Sequence, residues 1–141
     1  MKITVLTVGK KHDPLLKAAI EDYEKRLATY CNLSWQYIPT SDIKTESAAI
    51  IKAVESHELV FLLDERGTAF TSKDLARSLE RAQNASTKSL AVIIGGAYVF
   101  RANATLSLSR LTLPHQLVRL VVVEQLYRAF SILSGSRYHH E

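Results

Sequence analysis

The last helix of this chain constrains its fold more than any other segment. From about Pro114 to Leu133 it carries Leu117, Val118, Leu120, Val121, Val122, Val123, Leu126, Ala129, Phe130, Ile132 and Leu133, apolar almost all round. A helix of that kind is buried on several sides, so the rest of the molecule must enclose it, alone or with a second subunit. It is not a membrane span. The run Leu117 to Val123 is far shorter than the roughly 20 apolar residues a bilayer requires, and Arg119 interrupts it. Glu124 and Arg128 stand four apart in the favourable order. On so apolar a helix they are expected to form a partly buried, orienting pair.

The segments that must cover this helix alternate. Ile3 to Val8 is β-branched and apolar and stops at Gly9, as a central strand does. Pro14 opens a helix on which Leu15, Leu16, Ala19, Ile20, Tyr23, Leu27 and Tyr30 recur at helical spacing. Leu33 to Ile38 reads as a strand. Ile43 to Val54 reads as a helix capped by Ser41 or Asp42, with Ala48, Ile51 and Val54 on its apolar face. Leu59 to Leu63 is a buried strand, and Asp64-Glu65-Arg66-Gly67 turns out of it. A helix starts at Thr71-Ser72-Lys73-Asp74, where an oxygen side chain can accept a free first-turn N–H; Leu75, Leu79 and Ala82 face its core. Ala91 to Ile94 is a strand ending in Gly95-Gly96, and a short segment around Phe100 leads to a last strand, Thr105 to Ser109. Strands alternating with helices predict an α/β fold: a mainly parallel sheet with helices on both faces. With 141 residues and no linker or repeat, residues 1–141 form one domain.

Eighteen basic against fourteen acidic residues give a net charge of +4, compatible with an RNA partner without establishing one. Cys31 is the sole cysteine, which excludes an internal disulfide and a thiolate metal cluster, and fits a reducing compartment. His12, His57 and His115 show no ligand spacing with the terminal histidines, so no metal is expected. The N-terminus lacks the pattern of a signal peptide, and a cytoplasmic location is expected. There is no GxGxxG and no GxxxxGK[ST] sequence, which disfavours ordinary dinucleotide and P-loop sites. Ligands of open α/β sheets nevertheless bind at the carboxyl ends of strands; here those ends are Leu63-Asp64, Gly95-Gly96 and Leu111 to Pro114. Arginines 101, 110, 119, 128 and 137 recur every nine residues, which is 2.5 helical turns and builds no stripe. Arg110 and Arg137 individually are placed to meet phosphate. Tyr138-His139-His140 offers stacking and acid–base groups.

Taken together, Ile-Gly-Gly (94–96), Leu-Ser-Leu-Ser-Arg-Leu-Thr-Leu-Pro-His-Gln-Leu-Val-Arg (106–119), Glu-Gln-Leu-Tyr-Arg-Ala (124–129) and Tyr-His-His (138–140) closely resemble the large-subunit ribosomal RNA methyltransferase H family of the SPOUT class. The N-terminal Met1 to Lys10 and Tyr23 to Leu27 are similar too. The resemblance implies a homodimer whose C-terminal part is tied in a trefoil knot. It also implies methyl transfer from S-adenosylmethionine to N3 of a pseudouridine in large-subunit rRNA, with the assembled ribosome as substrate. By motif position the cofactor would lie on Leu63, Gly95, Leu108, Ser109, Arg110, Leu111, Thr112 and Leu113. Tyr138, His139 and Arg128 would form the catalytic group near the subunit boundary, with His139 the first candidate for the base that takes the N3 proton and Tyr138 positioning or stacking on the base.

Two features depart from the family pattern. Ala97 and Val99 stand where a Pro and a further Gly are usual, so a positive φ at Val99 would strain that loop. The chain is also short between Thr40 and Ser56. Three other readings stay open at this point. One is a SPOUT-fold ribosome- or RNA-binding protein with weak or lost catalysis, the second a SPOUT methyltransferase for another RNA, the third a monomeric flavodoxin-like protein for a small ligand.

Overall fold

The structure is a computed structural model, and it describes residues 1–95 and 102–140. Five strands form one sheet: β1 (Lys2–Val8), β2 (Asn32–Ile38), β3 (Leu59–Ala69), β4 (Ser89–Ile94) and β5 (Ala104–Ser107), in the spatial order β2-β1-β4-β3-β5. Every pairing is parallel, so the sheet is wholly parallel where the sequence indicated mainly so. Parallel neighbours require crossovers, supplied by α1 (Pro14–Leu27), α2 (Ile43–Val54) and α3 (Ser72–Asn84); α4 (His115–Leu133) follows β5.

Strand alternation divides the core into two layers. Ile3, Val5, Phe61, Leu90, Val92 and Ile94 face one way, against α1, α3 and α4. Leu6, Val60, Leu62, Ala91 and Ile93 face the other, where Ile50 of α2 covers them. Helices therefore lie on both faces, three against one. The caps follow the sequence. Asp13 accepts the N–H of Leu15, Asp42 that of Thr45, and Thr71 with Asp74 closes a reciprocal capping box.

Four sequence expectations shift. Leu15 is 91% exposed and plays no part in the core. On α2 the buried residues are Glu46 and Ile50, while Ala48 and Ile51 face outward; Glu46 turns inward because its carboxylate accepts the Ser41 N–H at 2.8 Å. Asp64 to Gly67 do not end β3. The strand bulges there and resumes, so that both Leu63 and Thr68 pair with Leu106. β5 stops at Ser107 and not Ser109, because the Ser107 hydroxyl turns onto the carbonyls of Ser109 (2.9 Å) and Glu65 (3.1 Å). Gly96, Ala97, Val99 and the segment around Phe100 lie outside the described residues. Among the described residues no helix is long and apolar enough to cross a membrane, and no cluster of His, Cys, Asp or Glu could hold a metal ion.

Candidate active site

The carboxyl ends of β3, β4 and β5 open onto a cavity of about 360 Å³. Leu63, Gly95, Leu108, Ser109, Leu111, Thr112 and Leu113 line it, which is the expected cradle apart from Arg110. Arg110 is exposed beside the cavity and contributes no wall. Asp64, offered by the sequence as a strand end, also lines it, and sequence reasoning missed Glu65, Arg66, Ile94, His115 and Val118. Asp64, Glu65 and Arg66 enter because the β3 bulge folds them over the opening. His115 and Val118 enter because α4 starts there.

Each wall has a local cause. Gly95 takes φ +96, and a Cβ there would stand 2.7 Å from the His115 ring; only glycine lets the first turn of α4 approach so closely. Gly67 lets the bulge close in the same way, since its Cβ would lie 2.7 Å from the Thr105 carbonyl oxygen. Thr112 donates its hydroxyl to Glu65 at 2.8 Å, joining the two loops across the opening. Asp64 is held by the Arg66 side chain (3.0 Å) and backbone N–H, which keep its carboxyl below the usual carboxylate range. Ser109 Oγ accepts the Leu111 N–H and fixes the turn before α4. Pro114 caps α4 with no side-chain hydrogen bond.

A second polar group sits further along α4. Arg128 Nε donates to Glu124 at 2.8 Å, and both side chains are largely covered, as expected of an orienting pair. That hydrogen bond raises the Arg128 pKa. The Arg128 guanidinium also lies over the Tyr138 ring, 4.7 Å from its centre, and its NH1 donates to His139 Nδ1 at 3.2 Å. The Tyr138 hydroxyl pairs with that of Tyr23 at 2.9 Å, and its ring packs edge-on against Tyr127. Burial first, then the Tyr23 hydrogen bond, pushes the Tyr138 phenol up to about 12. The three expected catalytic residues are therefore brought together. Because a guanidinium can only donate, the His139 contact leaves Nδ1 without a proton and places the ring hydrogen on Nε2.

Within one chain the tail group and the cavity are apart. Val118 lines the cavity, while His139 is held by Arg128, ten residues or about 15 Å further along the helix. Between them the face bearing Leu117, Leu120, Val121 and Glu124 is incompletely covered, Leu117 being 37% exposed.

Comparison with known proteins finds similarity along nearly the whole chain. A sequence-family profile described as "Predicted SPOUT methyltransferase" matches residues 1–139. Proteins named "Ribosomal RNA large subunit methyltransferase H" are similar along their full length. The one from Cytophaga hutchinsonii is 37% identical over 155 residues, covering 99% of this chain and 100% of that protein. The one from Geobacter sp. (strain M21) is 38% identical over 156 residues, with 100% of both covered. The one from Clostridium botulinum (strain Okra) is 37% identical over 160 residues, with 99% of each covered. Those aligned lengths exceed the 141 residues here, in keeping with a chain short for its kind. With parallel sheet, strand-end cavity and full-length similarity agreeing, the chain belongs to the SPOUT methyltransferase family.

Proposed function

We propose that the protein is an S-adenosylmethionine-dependent methyltransferase of large-subunit ribosomal RNA, acting on N3 of a pseudouridine in the assembled ribosome in the cytoplasm. The observation that carries this reading is the cavity at the strand ends, set within full-length similarity to proteins of that name. The cavity suits the cofactor. Its volume falls in the range of small-molecule sites, roughly 300–1,000 Å³. Leu63, Ile94, Leu108, Leu111, Leu113 and Val118 offer apolar surface to a purine. Glu65 and Asp64 set negative charge beside a ligand that is cationic at sulfur. When bound, the cofactor supplies an electrophilic methyl group on that sulfonium.

Methyl transfer of this kind is an in-line displacement, so positioning dominates the catalytic demand. Gly95 and the run 108–113 hold the donor side. The tail group holds the acceptor side, with Tyr138 stacked and anchored by Tyr23 and Arg128. His139 was the first candidate for the base that takes the N3 proton. Arg128 occupies its Nδ1, so the geometry favours the other role: Nε2–H donates to a carbonyl of the uracil ring and orients it. Tyr138, with its phenol held protonated, is no base either. Solvent water then accepts the N3 proton.

The separation of tail and cavity supports a homodimer in which the tail of one protomer serves the cradle of the other. The half-covered face of α4 would be closed by that contact. Calorimetric titration with S-adenosylmethionine, with mass measured by light scattering in the same buffer, tests the reading. Saturable binding to a dimer is expected. A dimer that binds no cofactor would instead indicate a catalytically silent ribosome-binding protein. The His139→Ala variant should lose about a hundredfold in turnover while keeping its cofactor affinity; equal losses in both would reject the role given to His139.

A further inference from the structure

Arg119 is the largest fully buried side chain among the described residues, 1% exposed, and it carries a charge. Among the described residues its guanidinium makes one hydrogen bond, a long one of 3.4 Å to His12 Nδ1, and no ion pair; its Nε has no partner. The segment 96–101 contains no acidic residue that could serve. Glu24, a carboxylate beside His12, is taken by Trp35 Nε1 at 2.8 Å. The Tyr37 ring, 5.6 Å from the guanidinium carbon, compensates in part. Buried charges in proteins are paired or hydrogen-bonded. This one is built to meet an anion that the described residues do not supply.

The surroundings indicate which anion. Arg119 NH2 lies behind Gly9: a Cβ at that position would stand 4.0 Å from it and 3.9 Å from Thr40 Oγ1. Gly9, at φ +110, has no side chain to close the way to the terminal nitrogen. Lys10 and Lys11 follow, both exposed. The loop is pinned to α4 by Gln116, whose Oε1 accepts the Asp13 N–H at 2.9 Å and whose Nε2 reaches the Lys11 carbonyl at 3.5 Å. His115, one turn before Arg119, is already a wall of the cofactor cavity. A buried guanidinium one helical turn from a wall of the cavity is thus flanked by a bare glycine backbone and two exposed lysines.

We propose that Gly9, Lys10, Lys11 and Arg119 form an anion subsite that takes a backbone phosphodiester of the substrate RNA next to the nucleotide being methylated. The inference rests on the methyltransferase reading and adds to it how the RNA strand is registered against the cradle.

The test uses two full-length variants, Arg119→Met and the double variant Lys10→Gln/Lys11→Gln. The probe is a fluorescein-labelled stem-loop RNA with a pseudouridine in its loop, titrated by anisotropy at several KCl concentrations. Arg119→Met is expected to weaken RNA binding about tenfold and to make the slope of log K against log salt shallower by about 0.7. The double variant should flatten the slope by about 1.4, twice that. Calorimetric affinity for S-adenosylmethionine should stay within about twofold of wild type in both. The melting temperature of Arg119→Met should equal or exceed that of wild type, because it removes an unpaired buried charge; a merely structural arginine would lower it. Unchanged RNA affinity and salt slope in the double variant overturn the proposal, even if Arg119→Met fails to fold. So does a loss of cofactor binding in Arg119→Met, which would assign the guanidinium to the cradle. Wild-type protein that binds no S-adenosylmethionine overturns the methyltransferase reading and the subsite with it.

Discussion

His12 stands edge-on to Trp35 with ring centres 4.4 Å apart, its side chain 9% exposed. Burial first, then Arg119, hold its pKa below 6.5, against a smaller opposing pull from Glu21 that itself exceeds the lowering by Lys17. The 3.8 Å approach to Glu24 is too long to reverse this. A histidine with a depressed pKa favours the folded state above its unfolded pKa. As pH falls below about 6.5 the unfolded chain takes up the proton first, and stability declines until the folded-state value is passed. Urea titrations at pH 7.5 and 5.5 should show wild type losing stability between them and His12→Gln losing distinctly less. Cys31 is the converse case, a thiol that burial pushes up to about 11, so it stays protonated and unreactive at neutral pH. Sequence reading saw Arg119 as a mere interruption of an apolar run. The destination of so long a side chain depends on His12, Tyr37 and Gly9, which lie more than eighty residues away and leave no local trace.

The central strands were legible because a parallel sheet buries both faces: Leu59 to Leu63 and Ala91 to Ile94 are unbroken apolar runs, and Ile3 to Val8 is interrupted only by Thr4 and Thr7. α3 was legible for a different reason, since Thr71, Asp74 and the spacing of Leu75, Leu79 and Ala82 agree with each other. α2 was not. Its isoleucines at 43, 50 and 51 fit two faces equally, and the choice fell to the Glu46 contact with the Ser41 backbone. The β3 bulge was hidden because Asp-Glu-Arg-Gly has the composition of a turn. Its geometry makes a sharp prediction. In Gly67→Ala the new Cβ would meet the backbone of Thr105 and Leu106 at 2.7 to 2.9 Å, and backbone cannot step aside as a side chain end can. A loss of about 1–3 kcal/mol in chemical denaturation is expected, together with weaker cofactor binding, because the bulge carries one wall of the cavity. A variant as stable as wild type would show that the β3–β5 contact is looser than described.

At the scale of the whole molecule, the proposed function makes the cavity and the tail, held at different heights along α4, two halves of one site. If protomers exchange them, two separately inactive variants should rescue each other. Gly95→Ala spoils the cradle and His139→Ala the tail. Mixed in equal amounts and allowed to exchange, half the dimers are hybrids in which one of two sites is intact, so activity should recover to about a quarter of wild type. No recovery, with exchange verified by mass, would place both halves of the site in one chain. The parallel sheet and the strand-end cavity could be read from elementary patterns. The trefoil knot that comes with SPOUT membership could not, because knots are exceptions to the rules by which chains connect, and only the long C-terminal motif announced it. The bulge in β3 has one consequence for how such molecules change. Since Leu63 and Thr68 both meet Leu106, the strand leaves its track and rejoins it with its register shifted. The residues between them are surplus to the pairing, so Asp64, Glu65 and Arg66 form an exchangeable cassette, rewritable in charge or length to admit another ligand while the pairings on either side, held close at Gly67, persist.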